Sequence, residues 1–382
     1  MTVKKTFGKI HLWLGLSSGL VVFILGLTGA IYCFAPELQN LQPYRTVQES
    51  GMRFLPPSQI KQIAEKHLPG KTLQRIYYDA PDKSVMVLFS KKDGYSYSVF
   101  INPYNGEVLK VRNNEKDFLS VVLQVHRTLL IPYGHDVIRW STVIFVFMLI
   151  SGIILWWPKK RRTAKQGFRV KWKASPKRLN YDLHKVFGFY ITWVVIFTAL
   201  TGLMFAFEGF ADFTYKLTGS AQSVVRKKPP VSDTTISIKN ETAAIDRVWQ
   251  QMEPGLYDKY AAIMFVLPAA KNGSILVRAN PERGTIYKTD FRYFDQYSGI
   301  EIPGAYVWGH YGDAHTIADN IRRMNYDIHT GAIFGIPGRI ALFFVALVVA
   351  SLPITGFYFW WGRKHKKKKV LSPTKKSALS TS

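Results

Sequence analysis

Four stretches of the chain are apolar almost without interruption: roughly Ile10–Phe34, Val137–Trp157, Val186–Phe207 and Ile336–Trp361. Each runs for at least about 20 residues, enough helix at ~1.5 Å per residue to cross a ~30 Å hydrocarbon core. Between them the period changes. In residues 36–120, "PSQIKQIAEKHL" has helical spacing, and "QRIYYDA", "SVMVLFS" and "YSYSVFINP" alternate as half-buried strands before the turn "NPYNGEV". In residues 209–325 the order recurs: "ETAAIDRVWQQM" reads as helix, "AAIMFVLPA", "GSILVRANP" and "GTIYKTDFRYFD" as strands, and "DQYSGIEI" as the close. The shared ending, Asn102-Pro103-Tyr104-Asn105-Gly106 against Asp295-Gln296-Tyr297-Ser298-Gly299, predicts two copies of one small α+β unit.

The first apolar stretch is longer than the ~7–15 residues of a signal-peptide core, and Tyr32-Cys33-Phe34 is no small-residue cleavage site. It reads as a retained anchor. Charge then orients the chain. Residues 158–181 hold ten Lys/Arg and no acid, and the tail from Gly362 holds eight; with Lys4, Lys5 and Lys9 these supply most of the net +26. The positive-inside rule puts both termini and that loop in the cytoplasm and both α+β segments outside. Basic residues beside apolar runs need only anionic lipid headgroups as partners, so nucleic-acid binding is excluded. A lone cysteine, Cys33, forms neither an intramolecular disulfide nor a CxxC motif.

The expected map is helix one over residues 1–35, an outer domain over 36–120, and helix two with an outer helical extension over 121–158. A basic loop over 159–181, helix three over 182–208, a second outer domain over 209–325, helix four over 326–361 and a basic tail over 362–382 complete it. The helices carry a repeat. His11 is followed by Gly15, Leu27-Thr28-Gly29 and Phe34; His184 is followed by Gly188, Leu200-Thr201-Gly202 and Phe207 at the same offsets. Ser151-Gly152 precedes Trp156-Trp157 as Thr355-Gly356 precedes Trp360-Trp361, both tryptophan pairs reading as interfacial anchors. His126 lies 26 residues before Gly152, and His329 lies 27 before Gly356. A four-helix bundle in two repeated halves follows, each half with its outer α+β domain.

An imidazole within a membrane needs a partner, and here the histidines come in matched pairs. Two helices that each present one nitrogen at equal depth describe bis-histidine haem ligation, by His11 with His184 and by His126 with His329. Gly15, Gly19 and Gly188 would leave room for a flat macrocycle. Two other readings stand beside this one. The histidines could bond headgroups or each other. A non-haem metal would want a carboxylate, for which Asp182 is nearest, although that residue serves equally to cap the helix or orient the imidazole. His126 is ~45 Å of helix from Trp156, beyond a ~30 Å core, and bends at Pro132 and Gly134, and at Pro337-Gly338, could lean it and His329 over one haem. His135 is the rival outer ligand. Arg127 could pair with a haem propionate or anchor at headgroups. His310 and His315 in "HYGDAHT" could line a substrate site or replace an outer ligand, and His67 and His365 receive no role.

The motifs "HLWLGL…GLTGA", "VHRTLL…SGIILWWP", "LHKVFGFY…LTGL" and "IHTGAIFG…ITGFYFWW" resemble the PepSY-associated transmembrane family over nearly the whole chain. That family includes bacterial inner-membrane reductases of ferric siderophores. The resemblance implies PepSY-like periplasmic domains and two b-type haems on His11, His184, His126 and His329, with no separate metal site and electrons moving outward to a ferric chelate. With no GxGxxG fingerprint in the chain, the expected donor is a separate reductase or a membrane quinol. A different class of function also fits: a non-redox anchored protein whose PepSY-like domains bind or regulate extracytoplasmic proteins or peptidases.

Overall fold

The structure is a computed structural model that describes residues 2–91, 94–158, 164–219, 229–236, 241–304, 308–313 and 316–364. His315, His365, residues 159–163 of the basic loop and the tail from 365 lie outside the described residues. The chain begins with α1 (Val3–Tyr32), α2 (Ala35–Asn40) and α3 (Pro57–His67). Next come β1 (Leu73–Tyr78), β2 (Val85–Lys91), β3 (Tyr95–Ile101), β4 (Val108–Asn113), α4 (Phe118–Thr128) and α5 (Gly134–Trp156). The short α6 (Ala164–Gly167), then α7 (Pro176–Ala206), α8 (Glu208–Leu217) and α9 (Glu241–Asp258), lead to β5 (Ala262–Val266), β6 (Ile275–Asn280), β7 (Asp290–Phe294) and β8 (Glu301–Ile302). The described chain ends in α10 (Ile317–Thr330) and α11 (Gly335–Lys364).

Among the described residues, four helices are long and apolar enough to span a membrane: α1, α5, α7 and the segment Ala332–Gly362. α1 and α7 each pack against α5 and α11, so α1 faces α7 across the diagonal of a four-helix bundle. Val22, Leu149, Ile191, Val195, Ala199 and Val349 close the middle of that bundle. Its outside carries exposed Trp13, Leu20, Phe147, Trp193, Phe197 and Phe344. A surface this apolar suits lipid rather than water. This is a membrane protein. The tryptophan pairs divide their roles. Trp157 is exposed, whereas Trp156 is buried, stacks on Phe189 at 3.8 Å and donates Nε1–H to the Gly167 carbonyl. α7 also starts earlier than its apolar run: Pro176, preset for a first helical turn, extends it into the stretch expected as loop.

The α+β segments do not stand apart as two domains. Their strands form one eight-stranded antiparallel sheet in the order β4-β3-β2-β1-β5-β6-β7-β8, joined where Ile76 pairs with Phe265. The element order within the two segments is the same, helix then meander, and β1 and β5 meet edge to edge. An isolated four-strand meander would expose the β1 edge, and the second segment covers it. β4 carries no clean apolar alternation, which is why sequence pattern missed it. α3 and α9 lie together on one face, where Ile60, Ala64, Val248, Trp249 and Met252 share a core with Tyr78, Phe89, Phe265 and Phe294 from both segments.

Helices two and four are broken beside the sheet, not bent. α4 stops at Thr128; Leu129, Leu130 and Tyr133 take positive φ (52°, 54°, 58°), and a new helix starts at Gly134. There a Cβ would lie 1.7 Å from the Thr128 carbonyl oxygen, so only glycine lets the two helices meet so closely. In the other half α10 stops at Thr330, and the break runs through Gly331 to Gly335 rather than at Pro337-Gly338. Pro337 sits harmlessly in the first turn of α11, while a Cβ at Gly338 would lie 2.2 Å from the Gly331 carbonyl oxygen. Thr128 and Gly331 each come two residues after a histidine of the repeat, so both contacts fix where a histidine-bearing helix ends.

Candidate functional site: two facing histidine pairs

The four histidines of the repeat meet in two pairs. The His11 and His184 rings, from α1 and α7, lie 6.5 Å apart between centroids and nearly perpendicular at 89°. The His126 and His329 rings, from α4 and α10, lie 6.3 Å apart at 72°. His11 and Thr28, like His184 and Thr201, are 17 residues apart on one helix. At ~1.5 Å per residue the two pairs are thus roughly 25 Å apart along the bundle. The His126–His329 pair lies at the end next to the sheet, and the His11–His184 pair at the far end.

Each Nδ1 meets a hydroxyl from the neighbouring helix. His11 Nδ1 is 2.8 Å from Ser151 Oγ, His184 is 2.9 Å from Thr355 Oγ1, His126 is 2.9 Å from Thr28 Oγ1 and His329 is 3.0 Å from Thr201 Oγ1. The hydroxyls themselves sit within reach of carbonyls of their own helices: Thr28 donates to Ile24, Ser151 to Met148, Thr201 to Phe197 and Thr355 to Ser351, at 2.6–3.1 Å. With the hydroxyl proton so used, its oxygen accepts from Nδ1–H. His329 adds a second argument, because its Nδ1 also lies 3.0 Å from the Thr198 carbonyl, which can only accept. We therefore assign the proton to Nδ1 in all four rings. Each Nε2 keeps its lone pair, and among the described residues none has a hydrogen-bond partner.

The glycine after each hydroxyl makes room for the ring. A Cβ at Gly29, Gly152, Gly202 or Gly356 would lie 3.4, 3.7, 3.5 or 3.2 Å from Cε1 of His126, His11, His329 or His184. The Ser/Thr-Gly steps that marked the repeat in the sequence are thus the seats of the histidines, which sequence reasoning did not see. The glycines expected to make room do something else. Gly15 faces Met148, Gly19 faces Pro353 and Gly188 faces Leu352, at helix–helix contacts. Spacing could reveal the motif but not its partner, because each seat lies at least 98 residues from its ring.

The remaining candidates fall outside the pairs. His135 is exposed, with Nδ1 3.5 Å from Arg139 Nη2. Asp182 is buried, but it pairs with Arg178 at 3.0 Å and accepts from the Lys171 amide; Thr355, not Asp182, holds His184. Arg127 is exposed. His310 is half exposed at the sheet edge, 3.5 Å from Glu301, in a cleft with Lys259, Tyr260, Lys288, Asp290 and Tyr311.

α10 is locked to the sheet. Thr316 and Asp319 form a capping box, the Arg323 guanidinium donates to the Thr289 and Gly309 carbonyls at 2.9 Å, and Asp327 accepts from the Ile286 and Tyr287 amides. His329 follows Asp327 by two residues, so its depth is set from the sheet as well as from the bundle.

The family model of the PepSY-associated TM region matches residues 9–363. The chain belongs to this family. The match takes in both histidine pairs, the sheet and all four long helices of this PepSY-associated protein. No curated protein matches the chain.

Proposed function

We propose that this PepSY-associated protein is a transmembrane di-haem electron conduit that reduces a ferric chelate, such as a ferric siderophore, on the sheet side of the bacterial inner membrane. His11 and His184 would hold one haem b, and His126 and His329 the other. Basic residues at Lys4, Lys5, Lys9 and around α6 lie at the bundle end away from the sheet, which by the positive-inside rule supports a periplasmic sheet. A separate reductase or the quinol pool would supply the electrons.

The observation that carries this reading is the spacing of the rings. Two metal–imidazole bonds of about 2.0–2.1 Å, one through each Nε2, hold facing ring centroids about 6–6.5 Å apart. Both pairs have that spacing, with the Nδ1 protons turned away. Among the described residues no group of three or more His, Cys, Asp or Glu could hold an ion. A metal at either pair therefore takes two protein nitrogens and needs its other ligands from elsewhere, which is what a porphyrin provides. Bound haem supplies one-electron Fe(III)/Fe(II) chemistry.

The protein's own part is orientation and insulation. Hydroxyls fix ring tautomer and angle, a hydrogen bond from Nδ1–H raises the basicity of Nε2, and the buried apolar cluster that includes Val22 and Val349 would keep water from the space between the pairs. The test is the absorbance spectrum of protein purified from haem-replete cells, then of His11→Ala and His126→Ala. A Soret band is expected, with each substitution removing about half of the haem. A colourless wild type would favour a non-redox role for the sheet, and loss of all haem from one substitution, or of none from either, would sink the ligand assignment.

A further inference from the structure

On the sheet face opposite α3 and α9, Arg75 and Arg278 have no acceptor among the described residues. Side chains alternate along a strand, so Ile76 and Tyr78 point to the helix-covered core while Arg75 and Tyr77 point the other way. The register extends that face as a row: Phe100, Met86, Tyr77, Met264, Arg278 and Phe291 stand opposite one another on β3, β2, β1, β5, β6 and β7. Arg75 stands in the next row, and only β5 separates it from Arg278. Their backbones are roughly 12 Å apart, within the reach of two long side chains toward a common ligand.

Three other arginines on this side have acceptors. Arg45 pairs with Asp79 at 3.0 Å, Arg112 with Asp117 at 3.5 Å, and Arg323 holds backbone carbonyls. Arg278 has only the face of Phe291, 5.1 Å away, and its Nε is closed off from solvent without an acceptor. Burial and the like charge of Arg75 pull its pKa below the ordinary guanidinium value. Arg75 has no acceptor among the described residues, and the charge of Arg283 also bears on Tyr77. A guanidinium taken partly out of water, as that of Arg278 is, is normally paired, while Arg75 is exposed and free to reach a ligand.

We propose that Arg75 and Arg278, with Tyr77 between them, bind a small anionic metal chelate through its carboxylate or catecholate oxygens. The guanidinium fork matches such oxygens two at a time. Position favours a chelate over a lipid phosphate. Phe291, which Arg278 covers, is also covered by Arg323 of α10 at 5.6 Å, and His329 lies six residues further along that helix, about 9 Å by helical rise. The site thus adjoins the helix that carries the sheet-side pair. Its assignment to substrate rests on the ferric-chelate reading, but the binding itself does not.

The test uses full-length protein in phosphatidylcholine nanodiscs and gallium(III) citrate, a redox-inert probe, read by calorimetry. Wild type should bind it in a salt-sensitive manner, and Arg75→Gln/Arg278→Gln should weaken binding about tenfold or more with haem content and elution volume unchanged. Arg75→Gln alone, at an exposed position, should weaken it in the same direction and guards against misfolding of the double variant. Equal binding by variants and wild type, no binding by wild type, or equal affinity for metal-free citrate would overturn the proposal. So would loss of binding when phosphatidylglycerol replaces phosphatidylcholine, which would make lipid the occupant. A colourless protein with arginine-dependent binding would remove the conduit and leave this site standing; a haem-loaded protein without it would do the reverse.

Discussion

The two histidine pairs have nearly the same ring spacing and the same hydroxyl–glycine seats, but their helices are built differently. At the far end, His11 and His184 lie inside α1 and α7, uninterrupted helices of 30 and 31 residues that bring the rings together through bundle packing alone. Next to the sheet, His126 and His329 ride on α4 and α10, short helices that end two and one residues later. α1 and α7 take the opposite role there, offering Thr28 and Thr201 as seats. A ring can be aimed by a long rigid helix or by a short one whose end is pinned. The second way ties the pair to the sheet, where a chelate would arrive.

The largest difference should appear on closing the glycine contacts at the breaks. Gly134→Ala and Gly338→Ala each drive a methyl into a backbone carbonyl, so α4 or α10 must shift. Haem titration of purified protein should show the sheet-side site lost and the far-end site kept. Equal loss at both ends would mean that the pairs are not built independently.

A smaller effect should follow from the hydroxyls. Ser151→Ala or Thr201→Val leaves Nδ1–H with a poorer acceptor, costing about 1 kcal/mol of orientation and lowering ligand basicity. The reduction potential of the affected haem should rise by on the order of 20–40 mV, read by redox titration. Thr201→Val should shift it less, because the Thr198 carbonyl still accepts from His329. Thr201→Ser should restore the wild-type potential. An equal shift for both would show that this second acceptor has no role.

The smallest effect concerns pH and reaches only the sheet. The Arg292 guanidinium beside Glu301 holds that carboxyl below its usual range, with His310 adding to the shift. Since the folded value is depressed, the stabilisation is present above the ordinary carboxylate pKa and is lost as pH falls through the folded value. Amide protection at β7 and β8, corrected for the intrinsic pH dependence of exchange, should fall on acidification before either haem spectrum changes. Simultaneous change would tie the sheet edge to the sites more closely than the geometry implies.

Local pattern in the sequence was enough for the four long helices, most strands and the four histidines. Hydrophobic period reports which face of an element is buried, and a duplicated spacing reports which residues recur together. Such signals are local, and they end where partners are far apart in the chain. The register could not reveal that β1 would pair with β5, because edge pairing depends on which second edge is at hand. Nor could it distinguish Gly29, which clears a ring, from Gly15, which clears Met148: both are glycines on one apolar helix. Pro132 with Gly134 and Pro337 with Gly338 drew attention as bends, but only the structure shows full breaks, at which the two glycines let one helix end press on the next. Sequence alone determined that His11, His184, His126 and His329 are special. Tertiary structure decided the ring spacing and tautomer of the pairs that the repeat had suggested, because both depend on hydroxyls and carbonyls supplied by other helices.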